Sequence, residues 1–168
     1  ADHLLETASL DTRFDEPILV KANLGHLLVR RREYERAVAL LRPLLHQESE
    51  GTDTFRRALN TLALAARRLQ DVGLEISTLK RLNQLFPHEH DVLTRLAAFY
   101  DAKGDSKATQ LLLAAANVNP QDTNLRIALA ARYQKEGKVK EAREQYLALI
   151  EAVPFHEGAL TFLANDAQ

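Results

Sequence analysis

The sequence predicts an all-α protein built from antiparallel helix pairs. Leucine and alanine dominate its apolar residues and β-branched residues are few, a composition that favours helices. Between Asn119 and Pro154, apolar residues recur at steps of three and four, which places them on one face of a helix. Gly137 interrupts the pattern, and glycine tolerates the positive φ that a sharp reversal needs. This stretch therefore predicts helices over 122–136 and 138–152 that pack as a pair.

The same unit recurs along the chain. Each of Pro87, Pro120 and Pro154 is followed nine residues later by a leucine and ten residues later by an alanine. The resulting pairs are Leu96–Ala97, Leu129–Ala130 and Leu163–Ala164. A repeated spacing of this kind predicts an array in which each helix pair contacts its neighbours.

The repeated residues resemble the tetratricopeptide family, whose motif of about 34 residues forms a helix–turn–helix unit. The string NLGHLLVRRREYERAV, residues 23–38, is particularly similar to the family consensus. In the last complete copy the matching residues are Leu129, Ala130, Tyr133, Ala142, Tyr146 and Pro154. The resemblance covers most of residues 18–164. It implies a right-handed α-solenoid of antiparallel helix pairs that serves protein–protein interaction.

On this register the whole chain, 1–168, is predicted to be a single fragment of a longer array. Its parts are residues 1–16 (the second helix of a preceding repeat and its loop), 18–51, 54–87, 90–120, 122–154 and 156–168 (the first helix of a further repeat). The repeat at 54–87 is degenerate, because Ala66 and Glu75 depart from the motif. The helices predicted in the first three repeats are 18–31, 34–46, 54–70, 74–86, 90–102 and 105–118.

Several residues predict where helices begin, end and turn. Pro43 lies inside helix 34–46, so we expect a kink or an early stop there. Asp53 or Thr54 is expected to cap the following helix. The turns of the last three complete pairs are expected at Gly73, Gly104 and Gly137.

Small residues predict close contacts between helices. Gly25 is expected to allow tight packing, and Ala130 and Ala142 are expected to face each other across the fourth pair. The final helix has no partner to cover its apolar residues, which predicts an exposed patch and self-association through this end. The residues concerned are Leu160, Phe162 and Leu163.

Composition and motifs exclude several classes of function. The chain has no cysteine, which excludes disulfides, thiolate catalysis and zinc–thiolate sites. Its net charge of −1 and its lack of long apolar runs predict neither nucleic-acid binding nor membrane insertion. No P-loop, nucleophile elbow or dinucleotide turn is present, so no enzyme, cofactor or metal is predicted. His88, Glu89 and His90 are interpreted as solvated loop residues, because two histidines two apart do not share a helix face.

The resemblance implies a concave groove lined by the first helix of each pair. In the third and fourth pairs the implied lining residues are Asp91, Thr94, Ala98, Asp101, Asn124, Ile127, Ala131 and Gln134. The candidate partner-binding residues of the whole chain are His26, Arg57, Asn60, Leu64, Arg67, Arg68, Arg95 and Asn124. Since arginine binds carboxylates bidentately, the predicted partner is a protein segment that is acidic or mixed acidic and apolar.

Two interpretations stay open for the strongest basic features, the run Arg30–Arg32 and the pair Arg67–Arg68. They are either solvated helix ends, where cations complement the helix dipole, or a patch that binds a ligand. The Leu/Ala/Arg-rich composition resembles bacterial scaffolds of cell-envelope export, including exopolysaccharide secretion, and favours the periplasm over the cytoplasm. The alternative is a regulatory or accessory domain of a larger enzyme whose catalytic part lies outside this chain.

Overall fold

The computed structural model describes residues 17–47 and 51–166. In these residues it contains nine α-helices, one 3₁₀-helix at Arg42–His46 and no strand. The α-helices are α1 (Ile18–Arg30), α2 (Tyr34–Leu41), α3 (Asp53–Arg68), α4 (Val72–Leu85), α5 (His90–Ala102), α6 (Lys107–Val118), α7 (Thr123–Lys135), α8 (Val139–Ala152) and α9 (Glu157–Asp166). The prediction of at least eight helices without a sheet is confirmed for this part of the chain, whereas the helix expected near residue 1 lies outside the described residues.

The helices form two compact units, divided between Pro87 and His88. In the first unit α1 packs against α2 and α3, α2 packs against α3, and α3 packs against α4. In the second unit each helix from α5 to α9 packs against the next one along the chain. Successive helices joined by short turns make antiparallel pairs, as the sequence predicts.

A glycine sets the distance between α1 and α2. A Cβ atom added to Gly25 would lie 2.6 Å from Leu41 Cδ1, and the Leu41 side chain is fully buried. Leu24, Leu28 and Ala37 complete the apolar contact around this crossing. The absence of a side chain at Gly25 therefore lets the two helices pack closely.

Pro43 ends α2 early, as predicted. The α-helix stops at Leu41, and the chain continues as a 3₁₀-helix over Arg42–His46 with Pro43 in its first turn. Proline there has no N–H to donate to the turn before it, and its ring clashes with the carbonyl that an α-helix would place nearby.

Turns after the first helices use a residue in the left-handed region. Gly104 and Gly137 have φ of +69° and +71°, which confirms the predicted turns. The prediction for Gly73 is wrong, because Gln70 makes that turn with φ of +59° and Gly73 lies in the first turn of α4. The prediction for the cap of α3 is also wrong, since Thr52 precedes the helix and its Oγ1 accepts a hydrogen bond from Phe55 N at 3.3 Å.

Two apolar clusters lie in the core of the second unit. One contains Leu129, Tyr133 and Ala142, together with residues of α5 and α6, while the other contains Ala130 and Tyr146, together with Leu149 and Ala159. Successive residues of a helix point about 100° apart, so Leu129 and Ala130 face different neighbours. The prediction that Ala130 and Ala142 face each other is therefore wrong, although both are fully buried.

The last helix is better covered than the sequence suggests. The ring of Phe162 lies 4.7 Å from that of Tyr146, and Leu163 is partly buried against the same cluster. Only Leu160 of the three predicted residues is exposed, at 44%, while Phe155 in the preceding turn is 92% exposed. Self-association through this end stays a prediction.

Candidate functional site

A groove of about 540 Å³ lies between α5 and α7 in the second unit. Its apolar lining consists of Ala97, Ala98, Leu112, Leu125, Ala128 and Ala131. Four of these six are alanines, whose short side chains leave the space between the two helices open. The sequence thus places small residues where α5 and α7 face each other and larger leucines beneath them.

One end of the groove carries a contact between the first turns of the two helices. His90 Nε2 at the start of α5 lies 3.3 Å from Oδ2 of Asp122, the residue that caps α7. The other carboxylate oxygen of Asp122 accepts hydrogen bonds from the backbone N–H groups of Asn124 and Leu125, at 3.0 and 3.3 Å. These bonds orient the carboxylate towards His90.

A buried arginine closes the opposite end. Arg132 on α7 donates from Nη1 to Asp101 Oδ1 on α5 at 2.7 Å and from Nη2 to the carbonyl of Asp105 at 2.9 Å. Its Nε lies 3.0 Å from Glu136 Oε1 and 3.3 Å from Thr109 Oγ1. The Arg132 side chain is only 9% exposed, so this network holds α5, α6 and α7 together at one point. The first turns of α5 and α7 contact each other, and so do their last turns. The two helices therefore run parallel.

The charges of this network are stable near neutral pH. Hydrogen bonds from Lys138 and from the Thr109 hydroxyl lower the pKa of Glu136 to about 2. Burial disfavours the charge of Arg132, but hydrogen bonds to Glu136 and Asp101 outweigh it and raise the pKa of the guanidinium. The end of the groove that Arg132 closes therefore keeps its ionic contacts across the pH range in which proteins normally bind partners.

The structure places five of the eight implied lining residues along this groove: Thr94, Ala98, Asp101, Asn124 and Ala131. Ile127 instead packs against the cluster around Ala130. Gln134 accepts a hydrogen bond from Tyr146 and lines a separate cleft beside α9.

Sequence reasoning missed His90, Asp122, Arg132 and Lys135, which also line the groove. For Arg132 a local signal existed, because its spacing of four from Glu136 is that of a helix ion pair. The contact from Arg132 to Asp101 spans 31 residues and had no such signal.

The eight candidate binding residues are divided between the units. On α3, Arg57, Leu64, Arg67 and Arg68 are exposed and Asn60 is partly buried, which forms a stripe of cationic and apolar side chains. His26 is exposed on α1 in the same unit. In the second unit Asn124 is exposed at the rim of the groove, whereas Arg95 is partly buried and does not line it.

Across residues 17–47 and 51–166, no three His, Cys, Asp or Glu side chains lie together as metal ligands would. Among the helices of these two ranges, none is both long enough and apolar enough to span a bilayer.

Antiparallel helix pairs with a groove between successive first helices define the class, and the chain has the tetratricopeptide-repeat fold. Solved structures similar to it include YrrB, described as a TPR protein with an unusual peptide-binding site, at a TM-score of 0.70 and 20% identity over 99% of this chain and 86% of that one. Two MamA structures are similar at TM-scores of 0.69 and 0.65, with 21% and 16% identity over 95% and 91% of this chain and 85% and 86% of theirs. No protein-family model and no curated protein matches the sequence.

Proposed function

We propose that this protein is a non-catalytic interaction scaffold whose groove between α5 and α7 receives a segment of a partner protein. The observation that carries the proposal is the groove itself, which has an apolar floor, the His90–Asp122 contact at one end and the ion pairs of Arg132 at the other. Small-molecule sites of about 300–1,000 Å³ commonly combine such an apolar lining with a few fixed polar groups. The groove falls in that range at about 540 Å³.

The contacts at the two ends give the groove two properties that a binding site needs. Because they join α5 to α7 at each end, they oppose collapse of the space over the alanines. A preformed site loses less conformational entropy on binding, so more of the contact energy appears as affinity. Exposed Asn124 and Lys135 at the rim can then bind polar atoms of the segment and fix its direction.

The similarity to YrrB supports a peptide segment as the ligand, since that protein is described as having a peptide-binding site. For the first unit we propose that the stripe of Arg57, Asn60, Leu64 and Arg67, with His26 beside it on α1, contacts an acidic or mixed acidic and apolar segment. On the compositional resemblance described above, we assign the scaffold to a bacterial cell-envelope export assembly.

A substitution that fills the groove tests the proposal. Ala98 lines the groove and is exposed, so Ala98→Trp should occupy the space without disturbing the core. Ala39→Trp, at an exposed position of α2, is the matched control. We expect affinity capture followed by mass spectrometry to recover a partner with the native chain and with Ala39→Trp, and to lose it with Ala98→Trp. Equal recovery by both variants would contradict binding in this groove.

A further inference from the structure

We infer that the edge of the first unit where α1 and α3 end is a further interaction surface, distinct from the groove, which binds an acidic segment of a partner protein. This inference rests on the proposed scaffold function and adds to it a surface and the chemistry of its partner. We name this surface the arginine edge, and it consists of Arg30, Arg31, Arg32, Arg67 and Arg68.

The fold brings these five residues together from two helices. Leu28 near the end of α1 and Ala65 near the end of α3 belong to one apolar cluster, so the two helices finish side by side. Arg30 and Arg68 are the last residues of their helices, and all five arginines are exposed. Arg30, Arg32, Arg67 and Arg68 thus present their guanidinium groups to solvent at this edge.

Four of the five arginines lack an ion-pair partner among the residues that the structure describes. In the part of the chain that the structure describes, Arg30, Arg32, Arg67 and Arg68 form no ion pair with a carboxylate. Paired arginines do occur in the same unit, since Arg36 pairs with Glu33 and Arg56 pairs with Asp53.

The equivalent helix ends of the second unit are organised differently. There Arg132 pairs with Asp101 and Glu136, and Glu136 also pairs with Lys138. At this position of the repeat, the positive charges are therefore paired with carboxylates in the second unit and are in excess in the first. The cationic end is available for an external anion.

Backbone geometry gives a second, independent observation. Arg32 has φ of +63° and Gln70 has φ of +59° at the turns where the second unit uses Gly104 and Gly137. An L-residue is strained in this region, so both turns place a polar side chain at this edge at a cost in backbone energy.

The composition of the edge favours an acidic protein segment over a longer polyanion. Glu33 and Asp71 lie in the turns next to the arginines and Glu35 lies at the start of α2, so an extended nucleic acid or an anionic membrane surface would also meet these carboxylates. A short run of Asp or Glu side chains can contact the arginines alone. The planar guanidinium group binds a carboxylate through two parallel hydrogen bonds.

The test measures binding of a short fluorescein-labelled oligoglutamate by fluorescence anisotropy at low ionic strength. We expect the native chain to bind it and to lose affinity as salt rises towards about 0.5 M, because exposed charges are then screened. Arg30→Glu with Arg68→Glu should weaken binding at least about tenfold, since attraction becomes repulsion at two positions. Lys140→Glu with Arg143→Glu on α8 carries the same change in charge and should bind nearly as the native chain does.

Arg30→Lys with Arg68→Lys keeps the charge but removes the bidentate geometry, so we expect an intermediate affinity. Equal affinities of the two Glu variants would overturn the inference, as would an absence of oligoglutamate binding by the native chain. Tighter binding of a single-stranded oligonucleotide or of phosphatidylserine vesicles would overturn the assignment to an acidic protein segment. Ala98→Trp should leave oligoglutamate binding unchanged, so failure of the groove and failure of the arginine edge are distinguishable.

Discussion

Arg132 Nη1 lies 2.7 Å from Asp101 Oδ1, and this contact joins α7 to α5 at one end of the groove. Asp101 is itself 43% exposed, so the pair extends from the interior to the rim of the groove. One side chain thereby serves two purposes, because it fixes the spacing of the helices and sets the charge at the rim.

Replacing Arg132 with methionine should lower the free energy of unfolding by about 2–3 kcal/mol. The change leaves Glu136 without its arginine partner, and removal of one member of a largely buried ion pair is costly. Arg126→Met on the same helix is the control, because Arg126 donates to the carbonyl of Pro120 and its loss should cost less than about 1 kcal/mol. Urea denaturation of both variants measures the difference, and equal losses would contradict the role given to Arg132.

Glu136 should make stability depend on acidity in a defined window. Its pKa is about 2 in the folded protein, against an ordinary value of 4.5. A lowered pKa contributes stability that is present above about pH 4.5 and is lost as the pH falls towards 2. Glu136→Gln should therefore be less stable than the native chain at pH 7 and approach it as the pH falls through this window. A difference in unfolding free energy that is constant with pH would contradict the assignment.

Two glycine substitutions should have effects of opposite sign. Gly137→Ala should cost about 1–2 kcal/mol, because φ is +71° and an added Cβ would meet nothing within 4 Å, so only the backbone conformation opposes it. Gly73→Ala should stabilise by about 0.4–1 kcal/mol, since Gly73 is helical and alanine restricts the unfolded chain. Thermal unfolding measures both effects. Destabilisation by Gly73→Ala would indicate that Gly73, rather than Gln70, makes the turn.

Ala130→Leu and Ala142→Leu should each cost about 1–3 kcal/mol, because both positions are fully buried and a larger side chain overpacks them. The two alanines belong to different clusters, so the double variant should show additive costs to within about 0.5 kcal/mol. Strong coupling in the double-mutant cycle would instead indicate that the two alanines face each other.

Sequence periodicity predicted the helices well, because one apolar face per helix is a local property. It predicted local turn chemistry less well. Gln70 adopts a left-handed conformation that sequence rules assign to glycine, so the sequence predicts the turn at the nearby Gly73 instead. Thr52, Asp53 and Thr54 can all cap a helix, and the sequence alone does not decide which one precedes the first helical residue.

The candidate site was predictable in outline only. Repeat positions indicated lining residues such as Ala98 and Asn124, because helix geometry fixes which positions share a face. The contacts that close the groove were not predictable, since His90 with Asp122 and Arg132 with Asp101 join residues on different helices. Pairings of this kind depend on how the helices pack, and no spacing along the chain records them.

The central claim is that a partner segment binds in the groove between α5 and α7. The most direct measurement is NMR chemical-shift mapping of the ¹⁵N-labelled chain as the captured partner segment is added. We expect the largest shift changes at Thr94, Ala98, Asn124 and Ala131, with α2 and the outer face of α8 unaffected. Changes confined to α6, α8 or another surface away from the groove, with these four amides unmoved, would contradict the account.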